Sequence, residues 1–577
     1  MITKIYNLSE TIIKVSFFLL ILFPGIIFAQ RTGNNSDMFL KFKTPLEKQI
    51  YSGVNIPAPP LIYNMTDAPV SYLNVNITQN SAPQNEPAVR ISRTNSNRVV
   101  AAWRDFRYGI DPVANRRVGY AYSGDGGTTW SNPKLLDSTL LGNNLFKNSD
   151  PVVTSDASGY FYISVIAINS VNGSLALAVY RSVDGGVTFP NAYIAAAVAD
   201  EDKEWIICDL SPASPYNNTL YITWTRFSST VDIKLTKSTN AGVNWTNAVT
   251  ISDPNHSGQG SNSCTSPNGQ INVVWASGTF STTDIVYDKS VDGGSTFGTD
   301  TVIASGLDPQ GLPNNVGTFP SIACDLSGGP RHGYLYVVFC DGRNGDPDVF
   351  LVRSTDNGGS WTAPVRINND SLGNGKIQYW PWIAVSDSGK IAVLFMDSRN
   401  TPNNSIIEAY LARSTDGGLT FSNELLSSQP SPTQIPGSNV RFGDYICVDY
   451  YKSRIVPVWT DERAGGYNME IYTAIINDLI GIEPISGTVP ENYKLYQNYP
   501  NPFNPVTNIR FAIPRASNVK LSVYDIMGRE VKTLLDEFRS TGIYELNYDA
   551  SNLSSGIYFY RIKAGDFVDV KKMILLK

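Results

Sequence analysis

The chain has 577 residues, of which 17% are charged and 11% aromatic, with 46 glycines, 34 prolines and a formal net charge of -6. This mildly acidic balance lacks the basic face that phosphate binding requires, and argues against nucleic acid as a partner. Abundant Gly, Pro and Tyr suit short strands and tight turns better than helices.

At the N-terminus, Lys4 and Lys14 precede an apolar run from Val15 to Phe28, and Ala29 offers a small residue before Gln30. The run is broken by Pro24-Gly25 and falls short of the about 20 apolar residues of a spanning helix. It reads as a signal peptide over 1–29, followed by a linker over 30–70, with no transmembrane helix in the mature chain. Export would permit disulfides, but Cys208, Cys264, Cys324 and Cys447 fall in apolar stretches (WIICD, NSCTS, SIACD, YICVD) that suit a core. With no C-x-x-C and only His256 and His332, no zinc site and no cofactor are expected.

From Ser71 a repeating unit takes over. A short strand A, often opened by proline (EPAVRIS, DPVVTS, EWIICD, FPSIACD, WPWIAVS, GDYICVD), precedes an apolar strand B such as RVVAAW or KIAVLF. Strand C, such as DVFLVRS, then runs into a turn of constant form: SGDGGTTW, SVDGGVTF, STNAGVNW, SVDGGSTF, STDNGGSW, STDGGLTF. These turns begin at Ser123, Ser182, Ser238, Ser290, Ser354 and Ser414, and a short strand D follows each. Repeated four-stranded antiparallel units are the signature of a β-propeller. There are seven A-B-C units but six turns, because the last unit stops near Asn477 without a strand D. The spare strand SYLNVNIT, Ser71 to Thr78, is expected to fill that place and close the ring. The fold is therefore all-β, a seven-bladed propeller over 71–478, with six blades as the alternative because the second and fourth units are weakly patterned. A linker over 479–490 leads to a small Ig-like β-sandwich over 491–577, where period-2 strands alternate with Gly and Asn/Asp turns.

The turn pattern S-x-D-x-G-x-x-[WF] resembles the Asp box, or BNR repeat, of sialidases and related propellers. YPNPFNP from Tyr499, VKLSVYDIMGREVKTL, SSGIYFYRI and the final VKKMILLK resemble the C-terminal sorting domain of type IX secretion cargo. The first resemblance implies a sialidase-like propeller. The second implies engagement of the type IX machinery and a secreted or outer-membrane surface location in a Gram-negative bacterium.

The carboxylates of Asp125, Asp184, Asp292, Asp356 and Asp416, and the amide of Asn240 in the third copy, can accept backbone N–H groups within their own turns. They read as scaffold. Antiparallel connectivity puts the B-to-C loops and the starts of strand A on the opposite rim, where binding residues concentrate. Arg107, Arg343, Arg399 and Arg463 follow strand B there, and Trp380 and Trp382 open a strand A. Two readings compete: a pocket gripping a carboxylate and stacking sugars, or local Asp-x-Arg pairs that brace each loop. The resemblance to sialidases implies three substrate arginines, a Tyr/Glu nucleophile couple and an aspartate acid/base. The family's R-I-P arginine is replaced by Glu86 in NEPAVRIS, whereas WRDFRYGID places Arg107 and Asp111 at the positions of its arginine and acid/base. DGRNGDPD from Asp341 offers oxygens that could hold calcium but lacks an EF-hand register. The expected function is binding of an extracellular glycan or other polymer. Glycoside hydrolysis of exo-sialidase type is the alternative, and a protein-interaction scaffold a third.

Overall fold

The computed structural model describes residues 72–577 except 110–115, 143–144, 170, 172–173, 200, 228–229, 280–281, 309–318, 434–441, 466–467, 478–482, 487–489, 516, 540 and 551–552. The signal peptide expected over 1–29, the linker over 30–70 and Asp111 lie outside the described residues. The chain divides into two compact units, the first built mainly from Asn74–Tyr451 and Val456–Ala474, the second mainly from Ile475–Lys577.

Among its described residues, the first unit contains seven antiparallel sheets, each with strands in the order A-B-C-D. In the first sheet these are Gln84–Ile91, Val99–Asp105, Arg117–Ser123 and Lys134–Leu135. Strand B is the most apolar of each set and is buried along nearly its whole length, as in Leu335–Asp341 and Ile391–Asp397. That is the expected position for near-continuous apolar runs, since strand B is covered by neighbours on both faces. Successive sheets share cores. Val100, Ala102 and Tyr120 of the first pack with Ile163, Val165 and Tyr180 of the second, and Val274 and Tyr287 of the fourth with Val337 and Phe350 of the fifth.

The last sheet closes on the first. Its strand D is Asn74–Asn76, paired antiparallel with Glu470–Ala474 in the register Asn74↔Ala474, Val75↔Thr473 and Asn76↔Tyr472. Ile77, Val456, Val458 and Ile471 of this sheet share a core with Val89, Val99 and Trp103 of the first. Sheets packed in sequence, with the last against the first, form a β-propeller.

The second unit is a sandwich of two four-stranded sheets. One core joins them, with Ile509, Phe511 and Tyr544 from one sheet against Leu521, Ile562 and Met573 from the other. Part of the stretch expected as linker differs: Glu483–Ser486 pairs with Gly542–Asp549 as an edge strand. Pro484 lacks an N–H, which an edge position tolerates and which hides the strand from sequence patterning. Among the described residues no helix is long and apolar enough to cross a membrane.

Candidate functional site

Strand A carries a register shift in five sheets, at Asn85/Ala88, Ser149/Val152, Asp202/Trp205, Gln259/Asn262 and Tyr379/Trp382. Within each shift one residue adopts a left-handed conformation: Glu86 (φ 55°), Asp150 (51°), Lys203 (54°), Gly260 (72°) and Trp380 (53°). Four of these are not glycine. Left-handed non-glycine residues persist only where the surroundings over-determine them, and such positions cluster at functional sites. The bulges re-aim these side chains away from the ladder.

The side chains of Glu86, Asp150 and Lys203 meet. Arg104 Nη2 lies 2.9 Å from Glu86 Oε1, and Arg104 Nη1 lies 3.5 Å from Asp150 Oδ1. Lys203 Nζ lies 3.5 Å from Asp150 Oδ2 and also pairs with Asp444. The cluster thus draws on the first, second, third and seventh sheets. Beside it, the Trp205 and Trp382 rings lie 4.3 Å apart, each 6.4 Å from Tyr445. The third and sixth sheets are not neighbours around the ring, so Trp205 and Trp382 touch across its middle. Gly443 (φ 113°) allows the seventh sheet to approach, because a Cβ there would lie 3.2 Å from Glu86 Cγ. This is an axial site on the rim opposite the repeated turns.

Its charges are sharply differentiated. Burial pushes Glu86 well above the usual carboxylate range, against the pull of Arg104. Burial would raise Asp150 as well, but Lys203, Arg104 and the Ser149 hydroxyl overcome it and hold this carboxylate low. Glu204 is raised by burial and by Asp150, and neither of its buried oxygens has a hydrogen-bond partner. Burial and the charges of Glu86 and Asp150 likewise raise the Tyr445 phenol, whose hydroxyl donates to Pro151 O at 3.3 Å. A site with carboxyls shifted in opposite directions, two cations and aromatic faces can bind a polar, ring-bearing ligand by hydrogen bonds and stacking.

The four arginines singled out in the sequence stand elsewhere, in separate local pairs. Arg107 binds Asp105 at 2.8 Å, Arg399 binds Asp397 at 2.7 Å, Arg463 binds Asp461 at 2.6 Å, and Arg343 pairs with Asp341. Arg399 and Arg463 also lie over Tyr410 and Tyr472 of their own strands C, 4.4 and 4.2 Å from the ring centroids. They face outward along the sheet, whereas Arg104, one residue before Asp105, faces strand A. Of the residues singled out for binding, Trp382 reaches the axial cluster, and the buried Trp380 stacks on Phe442 at 6.3 Å. Trp205 and Tyr445 escaped notice. A signal existed: in EWIICD, WPWIAVS and GDYICVD an aromatic occupies the same place, four residues before the end of each quoted stretch.

The repeated turns are self-contained. Asp125 Oδ1 accepts Thr129 N at 2.9 Å and the Ser123 hydroxyl at 2.8 Å, while Ser123 Oγ accepts Gly127 N at 2.8 Å. Asn240 makes the same bonds through its amide oxygen, to Asn244 N at 2.9 Å and Ser238 Oγ at 3.0 Å. Asp184, Asp292, Asp356 and Asp416 repeat the pattern.

Residues 497–576 match the family described as the secretion system C-terminal sorting domain. The tail is a type IX sorting domain. This sorting domain accounts for the two-sheet sandwich and places the chain among secreted or cell-surface cargo. No curated protein matches the chain. Among solved structures, an ulvan lyase of polysaccharide lyase family 25 is 10% identical, with 70% of this chain and 96% of that one covered at a TM-score of 0.44. The Penicillium chrysogenum alpha-L-arabinanase is 18% identical, covering 57% of this chain and 94% of its own at a TM-score of 0.40. A variant of the NanB sialidase of Streptococcus pneumoniae is 15% identical, with 72% of each chain covered at a TM-score of 0.35.

Proposed function

We propose that this chain is a seven-bladed propeller, exported by the type IX route, that binds an extracellular glycan or another surface polymer at the axial site. The observation that carries this reading is the meeting of Trp205, Trp382 and Tyr445 beside the Arg104, Asp150 and Lys203 network. Aromatic faces stack on sugar rings, and the flanking charges fix hydroxyl or carboxylate groups. Charged side chains from several sheets hold one another in place, which pre-organises the site and lowers the ordering cost of binding.

The second reading is glycoside hydrolysis. It is favoured by Glu86 and Asp150, two neighbouring carboxyls whose pKa values are pushed in opposite directions. Against it, Tyr445 is held as a phenol rather than activated. A glycan array probed with the exported protein and with Trp382→Ala separates the readings. Binding lost in the variant supports the binder; turnover of a fluorogenic glycoside that vanishes in Glu86→Gln would favour the hydrolase. Binding unchanged in Trp382→Ala would remove the axial site from consideration.

A further inference from the structure

A second cluster lies away from the axis, where the third sheet hands over to the fourth. Asp253 and His256 belong to the connection between Val249–Thr250 and Gly258–Thr265, and Asp300 immediately precedes strand D of the fourth sheet, Thr301–Leu307. One ligand atom from each of the three side chains lies within 4.8 Å of the others. Two backbone bonds fix the carboxylates reciprocally: Asp253 N donates to Asp300 Oδ2 at 2.7 Å, and Asp300 N donates to Asp253 Oδ2 at 3.2 Å. The loop is anchored from below, because the indole N–H of the fully buried Trp275 donates to His256 O at 2.8 Å.

The polar atoms are left wanting. The Asp300 side chain is fully buried, and its Oδ1 has no hydrogen-bond partner. His256 Nδ1 is buried 3.3 Å from Asp300 Oδ2 without forming a hydrogen bond. Asp288 adds another negative charge within electrostatic range, with a buried Oδ2 that is also unpartnered. A buried carboxylate oxygen without a partner is costly, and a cation is the group that relieves Asp300 Oδ1 and the imidazole lone pair together. An imidazole nitrogen with two carboxylate oxygens suits a borderline divalent transition metal, with remaining positions left to water.

We infer that Asp253, His256 and Asp300 form a site for a divalent transition-metal ion of the zinc type, tying the third-to-fourth connection to the outer strand of the fourth sheet. Ligation through Nδ1 of the neutral ring leaves the N–H on Nε2; Asn255 Nδ2 lies 3.4 Å from that nitrogen, and a flip of its amide would bring the carbonyl oxygen there to accept it. Because the ligands come from two separated segments, the ion acts as a clip on the fold rather than as part of the axial site.

The experiment is calorimetric titration of zinc chloride into the chelator-treated, full exported protein, with calcium and magnesium as comparison arms. One zinc per chain, a raised melting temperature, and affinity reduced roughly tenfold or more in both His256→Gln and Asp253→Asn are expected. His332→Gln should leave binding unchanged. Cobalt substitution adds a direct readout, a ligand-field absorption present in the parent and lost in His256→Gln. The inference is overturned if zinc fails to bind the parent chain, if His256→Gln binds it equally well, or if calcium binds more tightly than zinc.

Discussion

Arg104 lies 2.9 Å from Glu86, its partner across the first two strands of one sheet, and reaches Asp150 in the next sheet at 3.5 Å. One guanidinium therefore joins a carboxyl that burial shifts upward to a carboxylate that Lys203 and Arg104 hold low. The two acids should respond differently to the same chemical change. Glu86→Gln removes a charge that burial already disfavours and should alter stability by less than about 1 kcal/mol, whereas Asp150→Asn takes away the carboxylate that Lys203 and Arg104 share and should cost roughly 1–3 kcal/mol. Urea unfolding of both variants measures the contrast, and equal losses would contradict it.

Arg463→Ala should behave as the removal of a brace. Its guanidinium is spent on Asp461, Asn74 and Ser428. The expected outcome is a stability loss of about 1–3 kcal/mol with polymer binding unchanged. Weakened binding at an unchanged melting temperature would return this arginine to the binding site.

Ring closure depends on a few N-terminal residues. Asn74–Asn76 pairs with Glu470–Ala474, Ile77 N donates to Ile471 O at 2.8 Å, and the Thr78 hydroxyl bonds Glu470. Deleting 72–78 exposes an edge strand and opens the core shared by the seventh and first sheets. The deletion variant should melt well below the parent and aggregate on warming, as read by scanning calorimetry and light scattering.

Glu408 provides a pH signature. Burial, opposed by its bond from Asn400 and reinforced by Asp397, raises its carboxyl to about 7. The folded state thus holds this proton more tightly than the unfolded state does. Its stabilising contribution is fully present below the unfolded value of about 4.3 and is lost as pH rises through about 7. Up to about 3 kcal/mol is at stake. Glu408→Gln should flatten stability across that window and make the variant more stable than the parent at alkaline pH. A pH series of denaturant midpoints decides.

For the repeated turns, the chain itself supplies the control. Asn240 already caps its turn as the aspartates do. Asp125→Asn should therefore be close to neutral, while Asp125→Ala removes the acceptor of Thr129 N and should cost about 1 kcal/mol. Similar melting temperatures for parent and Asp125→Ala would show that the carboxylate contributes nothing to the turn.

Local pattern and covalent order were enough to read much of this protein. Alternation and turn residues marked the A, B and C strands, the six self-capped turns and the need for a strand from upstream of the first unit, because each depends on neighbours within a few residues. The sorting tail was legible for the same reason, in contiguous motifs such as YPNPFNP and SSGIYFYRI. Direction along strand B was not legible. Arg104 and Arg107 lie three residues apart, yet one reaches the axis and the other turns back onto Asp105. Nor was the partner of Trp205, which is Trp382 from a sheet on the other side of the ring. The Asp253, His256 and Asp300 cluster was missed because spacing rules look for ligands close in sequence, and these come from two segments separated by strands A, B and C of the fourth sheet. A propeller brings the starts of distant strands to one axis, so its site is composed of residues whose proximity exists only once the ring has closed.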